Sequence, residues 1–517
     1  MGGVARGVSR VLTSMWEWLE RHPVRALLIA IALSAALRLP FLTSPLSADE
    51  GGFLLVADQW DNGGDSLYGD LWVDRPPLLI VVFKLAVWLG GSIPVVRILA
   101  FVFACVTITA AWWAGRLINE QRGAVAAALV AAAIGANVSL DGTWLTGETI
   151  GSSFVMSSVA LTLSATYGSA KTQRQVLFAA LAGVLASCAF LVKQSLVDAG
   201  IFAFVLLCLK LHRRWPQLLA GAVGLALPLL LTVAWARSDH GPGVERLWNA
   251  IYRFRQRALD IMNAADGSAP AERAREFLIT AVLVGVAVLI VQTILASFAA
   301  PQRKSLRTAV LVLLGYEVAA IVLGANWWPH YGLQLIPAFA LGTALATHAH
   351  VRRKALPRVV THLGTVYAVT AAVVTAVLIS SLIAAGRHGN YGDDAVADYL
   401  EDAAGPGDSV FVAYGTPSII WRAGLTTPYR YVWSLPIRGR DPHLKNLVAT
   451  LEGPDAPTWL VEMDTFDWWD IDTMDFRLVR LYRYHFVAQI CGKTVYLLDD
   501  AGPRRPPTPE EFSCDQP

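Results

Sequence analysis

Two carboxylates directly follow the first long apolar stretch of the sequence. Asp49 and Glu50 come after Pro40 and Pro45, where the apolar stretch 24–43 ends. A carboxylate at a membrane boundary can accept a proton from an incoming hydroxyl while a lipid-borne leaving group stays in the bilayer. The context Ala-Asp-Glu-Gly-Gly is also typical of a helix start, where an aspartate only caps the backbone. The sequence leaves both interpretations open.

Two cations flank or enter a short apolar run that follows this acidic region. Arg75 precedes Pro76-Pro77, and Lys84 lies in the middle of the run 77–90. At the depth of the lipid headgroups, such cations can bind a phosphate diester and stabilise it as it leaves. Alternatively, these two side chains only anchor an interfacial helix by extending to the membrane surface. Phosphate binding and anchoring are both open for this pair.

A second pair of acidic residues brackets a short apolar hairpin. Asp141 and Glu148 are costly there unless they contact water or a partner. They predict a second carboxylate position, facing Asp49. The alternative is that they mark the ends of two helices, and the charge of Glu148 suits the start of the second helix.

Further candidate binding residues lie at the ends of two other apolar runs. Lys193 and Gln194 end one run, and a lysine on the outer side of a membrane is a candidate for a lipid phosphate. Trp328, His330 and Tyr331 share a tight loop, where aromatic residues ordinarily form an interfacial belt. Sugars also stack on aromatic faces, and His330 could donate a hydrogen bond to a phosphate or a sugar. Anchoring and ligand binding are again both open.

Long apolar runs position all of these residues. Hydrophobic residues make up 55% of the 517 residues and charged residues only 16%, whereas about a quarter of a soluble domain is charged. Runs near 20 residues are long enough to cross ~30 Å of hydrocarbon, and they predict about eleven transmembrane helices. The predicted spans are 24–43, 94–117, 122–140, 149–168, 175–193, 195–211, 215–236, 277–299, 307–325, 331–348 and 359–385.

The distribution of Lys and Arg predicts the orientation of these helices. If 77–90 is a helix in the outer interface, the basic loops share a side with the Arg-rich N-terminus, 1–23. If 77–90 spans the membrane, those loops all lie outside. We therefore expect 77–90 to be a helix in or on the outer interface of a multi-pass plasma-membrane protein with a cytoplasmic N-terminus. The regions expected outside the cytoplasm are the loops 44–93, 141–148, 237–276 and 326–330 and the tail 388–517.

The composition after Arg387 becomes that of a soluble protein. Alternating patterns predict a small extracytoplasmic α/β domain over 387–502 and a Pro-rich, disordered tail over 503–517. Cys491 and Cys514 could form a disulfide if they lie outside the cytoplasm, or they could be free thiols. The expected helices of the domain are 395–404 and 442–451, and the expected strands are 409–414, 429–433, 458–463 and 494–498.

The order of these features resembles the GT-C superfamily of polyprenyl-phosphate-sugar glycosyltransferases. The most similar branches are bacterial members like the protein O-mannosyltransferases and the lipid A aminoarabinose transferases. Glu148 is the best match to the second acidic residue of the family, which is usually an aspartate in an Arg-Pro-Asp context. The other matching residues are Asp49-Glu50, Tyr68 in a long loop, Arg75-Pro76-Pro77-Leu78, Phe83-Lys84-Leu85, Arg97, Lys193 and His330-Tyr331.

The resemblance implies a transmembrane GT-C catalytic domain over 24–386 and inverting transfer of a sugar from polyprenyl phosphate to an acceptor hydroxyl. Asp49 would be the general base, with Glu50 and Glu148 orienting the acceptor or the sugar. The lipid phosphate would be held by Arg75, Lys84, Lys193 and His330. The acceptor or sugar would contact Tyr68, Asp141, Gln194, Trp328 and Tyr331.

The expected partners follow from the same resemblance. They are a polyprenyl-phosphate-linked sugar donor, an acceptor that is a glycan, a lipid or a protein, and the bilayer itself. No cofactor is required, because fixed cations suffice for a phosphate whose charge is already present. A role for a divalent metal stays open.

Two other functions fit parts of the sequence. A transporter or flippase of a lipid-linked sugar would share the phosphate site and would need charged residues inside the membrane, for which Glu317 is the candidate. A non-catalytic cell-envelope binding protein would use the tail, but it leaves the acidic loop unexplained. The net charge of +2 gives no sign of a nucleic-acid partner, and the cysteines lack metal-ligand spacing.

Overall fold

The chain is mainly helical and contains a four-stranded sheet. The computed structural model describes residues 18–517 apart from 61–66, 265–267, 300–302, 354–357, 385–390, 414, 464–472, 503, 505, 506, 510, 511, 513 and 515–517. Most of the predicted cytoplasmic segment 1–23 and the first residues of the predicted α/β domain, 387–390, lie outside the described residues.

Twenty α-helices have both ends within the described residues. They are α1 Pro23–Arg38, α2 Ala48–Gln59, α3 Pro77–Trp88, α4 Ile93–Gly135, α5 Gly147–Tyr167, α6 Thr172–Val192, α7 Asp198–Cys208, α8 Leu211–Arg237, α9 Val244–Trp248, α10 Phe254–Ala264, α11 Ser268–Leu283, α12 Val286–Ala299, α13 Lys304–Gly324, α14 Ile336–Arg353, α15 Arg358–Ala384, α16 Tyr391–Ala403, α17 Pro417–Arg422, α18 Ser434–Arg440, α19 Lys445–Glu452 and α20 Met474–Arg483.

Several of these helices have the length and composition of membrane spans. Among the described residues, seven helices are long and apolar enough to cross a membrane, or eight if the bent pair of α11 and α12 is one span. The chain is therefore a multi-pass membrane protein. The expected number of about eleven spans is not confirmed. The predicted span 94–117 falls within α4, and the predicted span 122–140 begins in α4 and extends beyond its end. Non-helical backbone angles at Asn119 and Glu120 break α4 between the two, and α3 and α7 are shorter apolar helices.

The chain divides into two compact units. Unit 1 comprises Met1–Leu42, Arg97–Leu231 and Ser268–Ile379. Within it, glycines let α6 and α8 approach closely. A Cβ at Gly183 would overlap the carbonyl oxygen of Gly221, and a Cβ at Gly224 would overlap that of Ala180. Small residues are the usual means of packing helices in a membrane, where apolar side chains gain little by leaving lipid.

Unit 2 comprises Thr43–Val96, Thr232–Gly267 and Ser380–Pro517. Two glycines of α2 allow the C-terminal segment to pack against this helix. A Cβ at Gly51 would overlap the backbone of Ser418 in α17, and a Cβ at Gly52 would overlap the ring of Trp433. The glycine pair after Asp49-Glu50 is thus explained by close packing of α2 against the C-terminal segment.

The sheet of unit 2 has strands β1 Val410–Ala413, β2 Trp459–Glu462, β3 Tyr484–Ile490 and β4 Lys493–Leu498. The strand order is β1-β2-β4-β3. Strands β1 and β2 are parallel, and the other two pairs are antiparallel. The small α/β architecture is confirmed, as are strands in 409–414, 458–463 and 494–498. Strand β3 was not predicted, and an irregular register between Phe486 and Ala488 interrupts its alternation.

The strand expected over 429–433 is wrong. In this segment the carbonyl oxygen of Arg430 accepts a hydrogen bond from the backbone N–H of Trp72 (3.0 Å). The Arg430 Nη2 donates to the carbonyl oxygen of Gly69 (2.7 Å). The segment therefore pairs with the loop before α3 instead of joining the sheet, which sequence alternation cannot reveal.

The described residues near the C-terminus are held to the α/β region by specific contacts. Cys491 and Cys514 form a disulfide, which decides between the two alternatives left by the sequence. Arg504 Nη2 lies 2.6 Å from Asp408 Oδ1, and Phe512 packs edge-on against Tyr399. The expectation of disorder over 503–517 does not hold for these residues.

Candidate functional site

The N-terminus of α2 gives different environments to Asp49 and Glu50. Ser47 is the N-cap, and its Oγ accepts a hydrogen bond from the Glu50 backbone N–H (3.2 Å). The Glu50 Oε2 accepts from the Ser47 backbone N–H (2.9 Å) in return. This capping box holds the buried Glu50 carboxylate. The Asp49 carboxylate is 48% exposed, so the capping role belongs to Ser47 and Glu50.

A chain of alternating charges extends from Asp49. Arg75 Nη2 lies 3.9 Å from Asp49 Oδ2, and Arg75 Nη1 donates to Asp74 Oδ1 (2.6 Å). Arg255 Nη2 in turn lies 3.0 Å from Asp74 Oδ2. We call these four residues the Asp49 group. Because Asp74 is held by two arginines, it fixes the Arg75 guanidinium next to the accessible carboxylate of Asp49.

The surroundings of Asp74 favour its charged form. Burial raises the pKa of the Asp74 carboxyl, but the opposing effects, led by Arg255 and Arg75, are larger together. The pKa of Asp74 therefore lies below its usual value. Tyr68 donates its hydroxyl to the carbonyl oxygen of Arg75 (2.7 Å). Burial, and then Asp74, raise the pKa of Tyr68 well above its usual value. The neutral hydroxyl of Tyr68 therefore positions the backbone of Arg75.

The backbone of Tyr68 adopts an uncommon conformation for a residue with a side chain. Its φ is 75°, in the left-handed region that is strained for bulky residues. Such strain is retained where the surrounding structure demands it, and it is frequent at functional sites. Here the strained residue makes the hydrogen bond to Arg75.

Lys84 is placed at the other end of α2 from Asp49. Its Nζ lies 5.2 Å from the ring centroid of Trp60, which follows the last residue of α2. The separation of Asp49 and Trp60 along a helix is about 16 Å. Arg75 and Lys84, which the sequence paired as phosphate ligands, therefore contact opposite ends of this helix.

The second set of predicted residues converges in unit 1. The Glu148 carboxylate at the start of α5 forms an ion pair with Lys193, which follows α6. His330 Nδ1 lies 3.2 Å from Asp141 Oδ2, and His330 Nε2 lies 4.0 Å from Glu148 Oε1. We call Asp141, Glu148, Lys193 and His330 the Glu148 group. Both acidic residues and both candidate phosphate ligands of this unit thus belong to one network.

Aromatic rings lie against two members of the Glu148 group, Lys193 and His330. The Nζ of Lys193 lies 4.1 Å from the ring centroid of Tyr331, a favourable cation–π geometry. The rings of Trp328 and His330 are stacked at 6.5 Å. Gln194, the remaining binding candidate of this unit, is next to Lys193 in the chain. Lys193, expected to bind phosphate, already has an internal anion and an aromatic partner.

Two arginines, one beside Asp74 and one beside Trp328, were not among the predicted site residues. Arg255 belongs to a segment in which Arg253, Arg255 and Arg257 alternate, and nothing in that spacing marks Arg255 as the partner of Asp74. Arg273 lies 5.2 Å from the ring centroid of Trp328 and donates to the carbonyl oxygen of Asn326 (3.0 Å). Only the folded chain brings these residues to their partners.

The described residues include no group of three or more His, Cys, Asp and Glu side chains arranged to hold a metal ion. Asp141, Glu148 and His330 lie near one another, but Lys193 already pairs with Glu148. A cation in contact with that carboxylate opposes the binding of a metal there.

Comparisons with known proteins identify the fold. No family model and no curated protein sequence matches the chain. ArnT from Cupriavidus metallidurans, solved with bound undecaprenyl phosphate, is similar with a TM-score of 0.63 and 13% identity over 92% of this chain and 99% of its own. The archaeal oligosaccharyltransferase AglB from Archaeoglobus fulgidus, in complex with an inhibitory peptide and a dolichol-phosphate, has a TM-score of 0.59 and 13% identity over 96% and 78%.

A further structure of the Archaeoglobus fulgidus oligosaccharyltransferase, in complex with Zn and sulfate, has a TM-score of 0.57 and 14% identity over 92% of this chain and 73% of its own. The chain thus has the GT-C membrane fold, as its sequence predicts. At these identities the similarity identifies the fold, while function must be argued from the site itself.

Proposed function

We propose that this protein is a membrane glycosyltransferase that moves a sugar from a polyprenyl-phosphate donor to a hydroxyl group of an extracytoplasmic acceptor. The observation that carries the proposal is the Asp49 group, in which an accessible carboxylate lies beside a fixed arginine. A base and a cation side by side are the groups required to deprotonate a hydroxyl and to stabilise a phosphate leaving group. The fold adds support, because ArnT binds undecaprenyl phosphate and AglB was solved with dolichol-phosphate.

The proposed reaction is a single displacement with inversion at the anomeric carbon. The acceptor oxygen forms a bond to this carbon while the bond from the carbon to the phosphate oxygen breaks. The acceptor proton moves to the Asp49 carboxylate, and both electrons of the broken bond stay with polyprenyl phosphate. General base catalysis of this kind typically contributes about 10²–10⁴-fold to the rate.

Arg75 is proposed to stabilise the departing phosphate. Its Nη1 is held by Asp74, while Nη2 faces Asp49 at a distance longer than a close hydrogen bond. The cation is therefore positioned by one carboxylate without being neutralised closely by the other. Arginine suits this role because its planar fork binds phosphate oxygens in a fixed geometry.

The Glu148 group is proposed to bind the donor or the acceptor. The Glu148 carboxylate compensates the positive charge of Lys193. His330 is then the remaining member of the group that can donate a hydrogen bond to a phosphate or a sugar. Trp328 and Tyr331 offer aromatic faces beside His330 for a sugar ring. In this assignment Glu148 orients Lys193 and His330.

The proposed orientation places the N-terminus in the cytoplasm and the α/β region outside it. The charge pattern predicts that 44–93, 237–276 and the tail 388–517 lie on one side, together with the short loops 141–148 and 326–330. The first three of these regions contribute most of unit 2. The disulfide between Cys491 and Cys514 also suits an oxidising, extracytoplasmic environment.

The experiment is a measurement of polyprenyl phosphate released by the purified protein, with short-chain polyprenyl-phosphate sugars and a membrane extract as the source of acceptors. We expect release by the wild type and a loss of at least about 100-fold in Asp49→Asn. Asp58→Asn is the matched control, because Asp58 lies near the far end of the same helix. Equal release by Asp49→Asn and wild type would remove Asp49 from the chemistry, and no release by any form would refute the transferase.

The requirement for a metal is tested in the same assay. Because the leaving phosphate meets fixed cations, we expect release to continue after treatment with EDTA and to be insensitive to added Mg²⁺ or Mn²⁺. Loss of release with EDTA that is restored by one of these ions would show that a metal is required.

One observation favours a second function, the movement of a lipid-linked sugar across the membrane. Glu317 in α13 and Asp198 at the start of α7 are both buried, and buried carboxylates in membrane helices frequently mark transport pathways. For a transporter, Glu317→Gln abolishes translocation of a fluorescent lipid-linked sugar in proteoliposomes. For the transferase, we expect this variant to release polyprenyl phosphate at the rate of the wild type.

A further inference from the structure

Unit 2 contains two adjoining cavities whose walls are rich in arginine. The first has a volume of about 470 Å³ and is lined by Tyr68, Asp70, Trp72, Arg246, Arg430 and Arg440, among others. The second has a volume of about 290 Å³ and is lined by Arg253, Phe254, Arg257, Tyr431 and Arg440, among others. Asn249 and Arg440 line both cavities. Five arginines therefore line this space, whereas Asp70 is the one acidic side chain among the lining residues.

Neutral oxygen atoms hold four of these arginines in place. Arg253 Nη1 donates to Asn249 Oδ1 (3.2 Å), and Arg257 Nη1 donates to the carbonyl oxygen of Gly439 (3.4 Å). Arg430 Nη2 donates to the carbonyl oxygen of Gly69 (2.7 Å). Arg440 Nε donates to the hydroxyl of Tyr431 (3.4 Å).

The charge of these four arginines is not compensated within the described part of unit 2. No described carboxylate lies within ion-pair distance of Arg253, Arg257, Arg430 or Arg440. Arg255 differs, since it pairs with Asp74. Arg253 and Arg257 are four residues apart and share a helix face that Arg255 does not share. The cavities thus retain an excess of positive charge that a bound anion would balance.

Aromatic rings lie beneath Arg440, the arginine shared by both cavities. The guanidinium carbon of Arg440 lies 4.8 Å from the ring centroid of Trp72 and 6.0 Å from that of Tyr431. Trp72 and Tyr431 are buried, and Trp72 packs edge-on against Phe254 at 4.5 Å. A guanidinium stacked on a ring keeps its edge free to bind phosphate or carboxylate oxygens.

The cavities are linked to the Asp49 group by two residues. Tyr68 lines the first cavity and donates to the carbonyl oxygen of Arg75. Phe254 lines the second cavity and precedes Arg255, the partner of Asp74. A ligand held by the arginines would therefore lie next to residues that position Arg75, the neighbour of Asp49.

We propose that these two cavities bind an anionic saccharide, a sugar chain that carries a phosphate or a carboxylate group, as the acceptor of the transfer. The assignment as acceptor rests on the proposed glycosyltransferase function. The arginines bind the anionic group, and a hydroxyl of the bound chain is presented to Asp49. The size of the cavities suits a few sugar residues, since typical small-molecule pockets have volumes of about 300–1,000 Å³.

The proposal is tested by binding, without donor and without turnover. The full chain is placed in nanodiscs of zwitterionic lipid and titrated against fluorescent trisaccharides that are neutral, carry one uronate or carry one phosphate. We expect both anionic forms to bind at least about 10-fold more tightly than the neutral form, with the difference shrinking as salt is raised. Equal binding of all three forms would overturn the proposal.

Variants locate the binding to the cavities. Arg440→Gln and Arg257→Gln should each weaken binding of the anionic forms by about 10-fold, because each removes a charge-assisted hydrogen bond. Asp70→Asn should strengthen it, since it removes an opposing charge from the first cavity. The control is Arg237→Gln, an exposed arginine at the end of α8 that lines neither cavity. Unchanged binding in both cavity variants would contradict the proposal.

A lipid headgroup offers the same phosphate chemistry and is distinguished by a further arm. The occupant is a headgroup, and the proposal is wrong, if two results are found together. Anionic lipid in the nanodiscs displaces the saccharide, and Arg440→Gln weakens the binding of lipid but not the binding of saccharide. Release of polyprenyl phosphate without anionic binding would refute only this inference. Anionic binding without release would refute the transferase and leave the binding site in place.

Discussion

The charged groups of the two units differ in how far the fold encloses them. Glu148 and Lys193 are only 3% and 13% exposed, and each lies against its partner. Asp49 is 48% exposed, and its arginine is held mainly by Asp74. A buried ion pair leaves few directions from which a substrate can approach. The difference in exposure supports the proposal that Asp49 transfers the proton and that Glu148 has a positioning role.

The difference also separates stability from activity. Removing one partner of a buried ion pair leaves a charge that the interior cannot solvate. Removing an exposed carboxylate leaves no such charge, and the capping box of Ser47 and Glu50 maintains the start of α2 without it. Variants of the Glu148 group should therefore lose stability first, whereas variants of Asp49 should lose activity alone.

The largest expected change in stability follows from Lys193→Met. This variant leaves the Glu148 carboxylate buried without its cation, which should cost about 3–5 kcal/mol. A thermal unfolding curve in detergent, followed by intrinsic fluorescence, measures the loss. Asp49→Asn is the control and should change stability by less than about 0.5 kcal/mol.

A second variant separates the lost ion pair from lost packing of the lysine. Glu148→Gln combined with Lys193→Met removes both charges and should recover most of the stability lost in Lys193→Met alone. An unfolding curve of Lys193→Met that matches the wild type would show that the Glu148 group is not the enclosed pair described here.

A smaller change is expected when Asp74 is neutralised. Asp74→Asn weakens two hydrogen bonds to charged partners, and this should cost about 1–3 kcal/mol. The folded-state pKa of Asp74 is lowered. Its contribution is therefore fully present above the unfolded-state pKa of about 4 and is lost as the pH falls through the lower folded-state value. Unfolding curves across that window measure it, and a pH dependence that persists unchanged in Asp74→Asn would contradict the assignment.

The smallest change is expected at the cap of α2. Ser47→Ala removes one half of the capping box and should cost about 1 kcal/mol. Because the cap sets the position of Asp49, we also expect the release rate to fall by a few fold while donor affinity is kept. Ser47→Thr should retain both properties. A rate equal to that of the wild type in Ser47→Ala would show that the cap does not position Asp49.

Much of the fold could be predicted from the sequence because its signals are local. Apolar length predicted the membrane helices, and alternation predicted strands β1, β2 and β4. The signal failed where tertiary contacts decided the outcome. The segment 429–433 alternates like a strand, yet Arg430 bonds to the loop that contains Gly69 and Trp72. The number of spans was not confirmed, because apolar length alone does not distinguish a full span from a short apolar helix such as α7 or from a bent pair such as α11 and α12.

The sequence predicted which residues belong to the candidate site better than it predicted which of them contact each other. The sequence named Asp141, Glu148, Lys193 and His330 from three distant segments, and the fold joins them. The sequence also predicted that Lys84 and Arg75 bind the same phosphate. In the structure Lys84 contacts Trp60 and Arg75 contacts Asp49, at opposite ends of α2. The arginines Arg430 and Arg440 had no signal at all, because a basic residue in a soluble segment is ordinarily a surface charge.

The most direct test of the central claim is whether Asp49 serves to remove a proton. Azide attacks a sugar without losing a proton, so it needs no general base. The measurement is donor turnover by Asp49→Ala with and without azide, with the glycosyl azide product identified by mass spectrometry and NMR. We predict that azide restores turnover in Asp49→Ala, with inversion, and has little effect on the wild type. Turnover that stays absent with azide while the donor still binds would contradict the assignment of Asp49 as the general base.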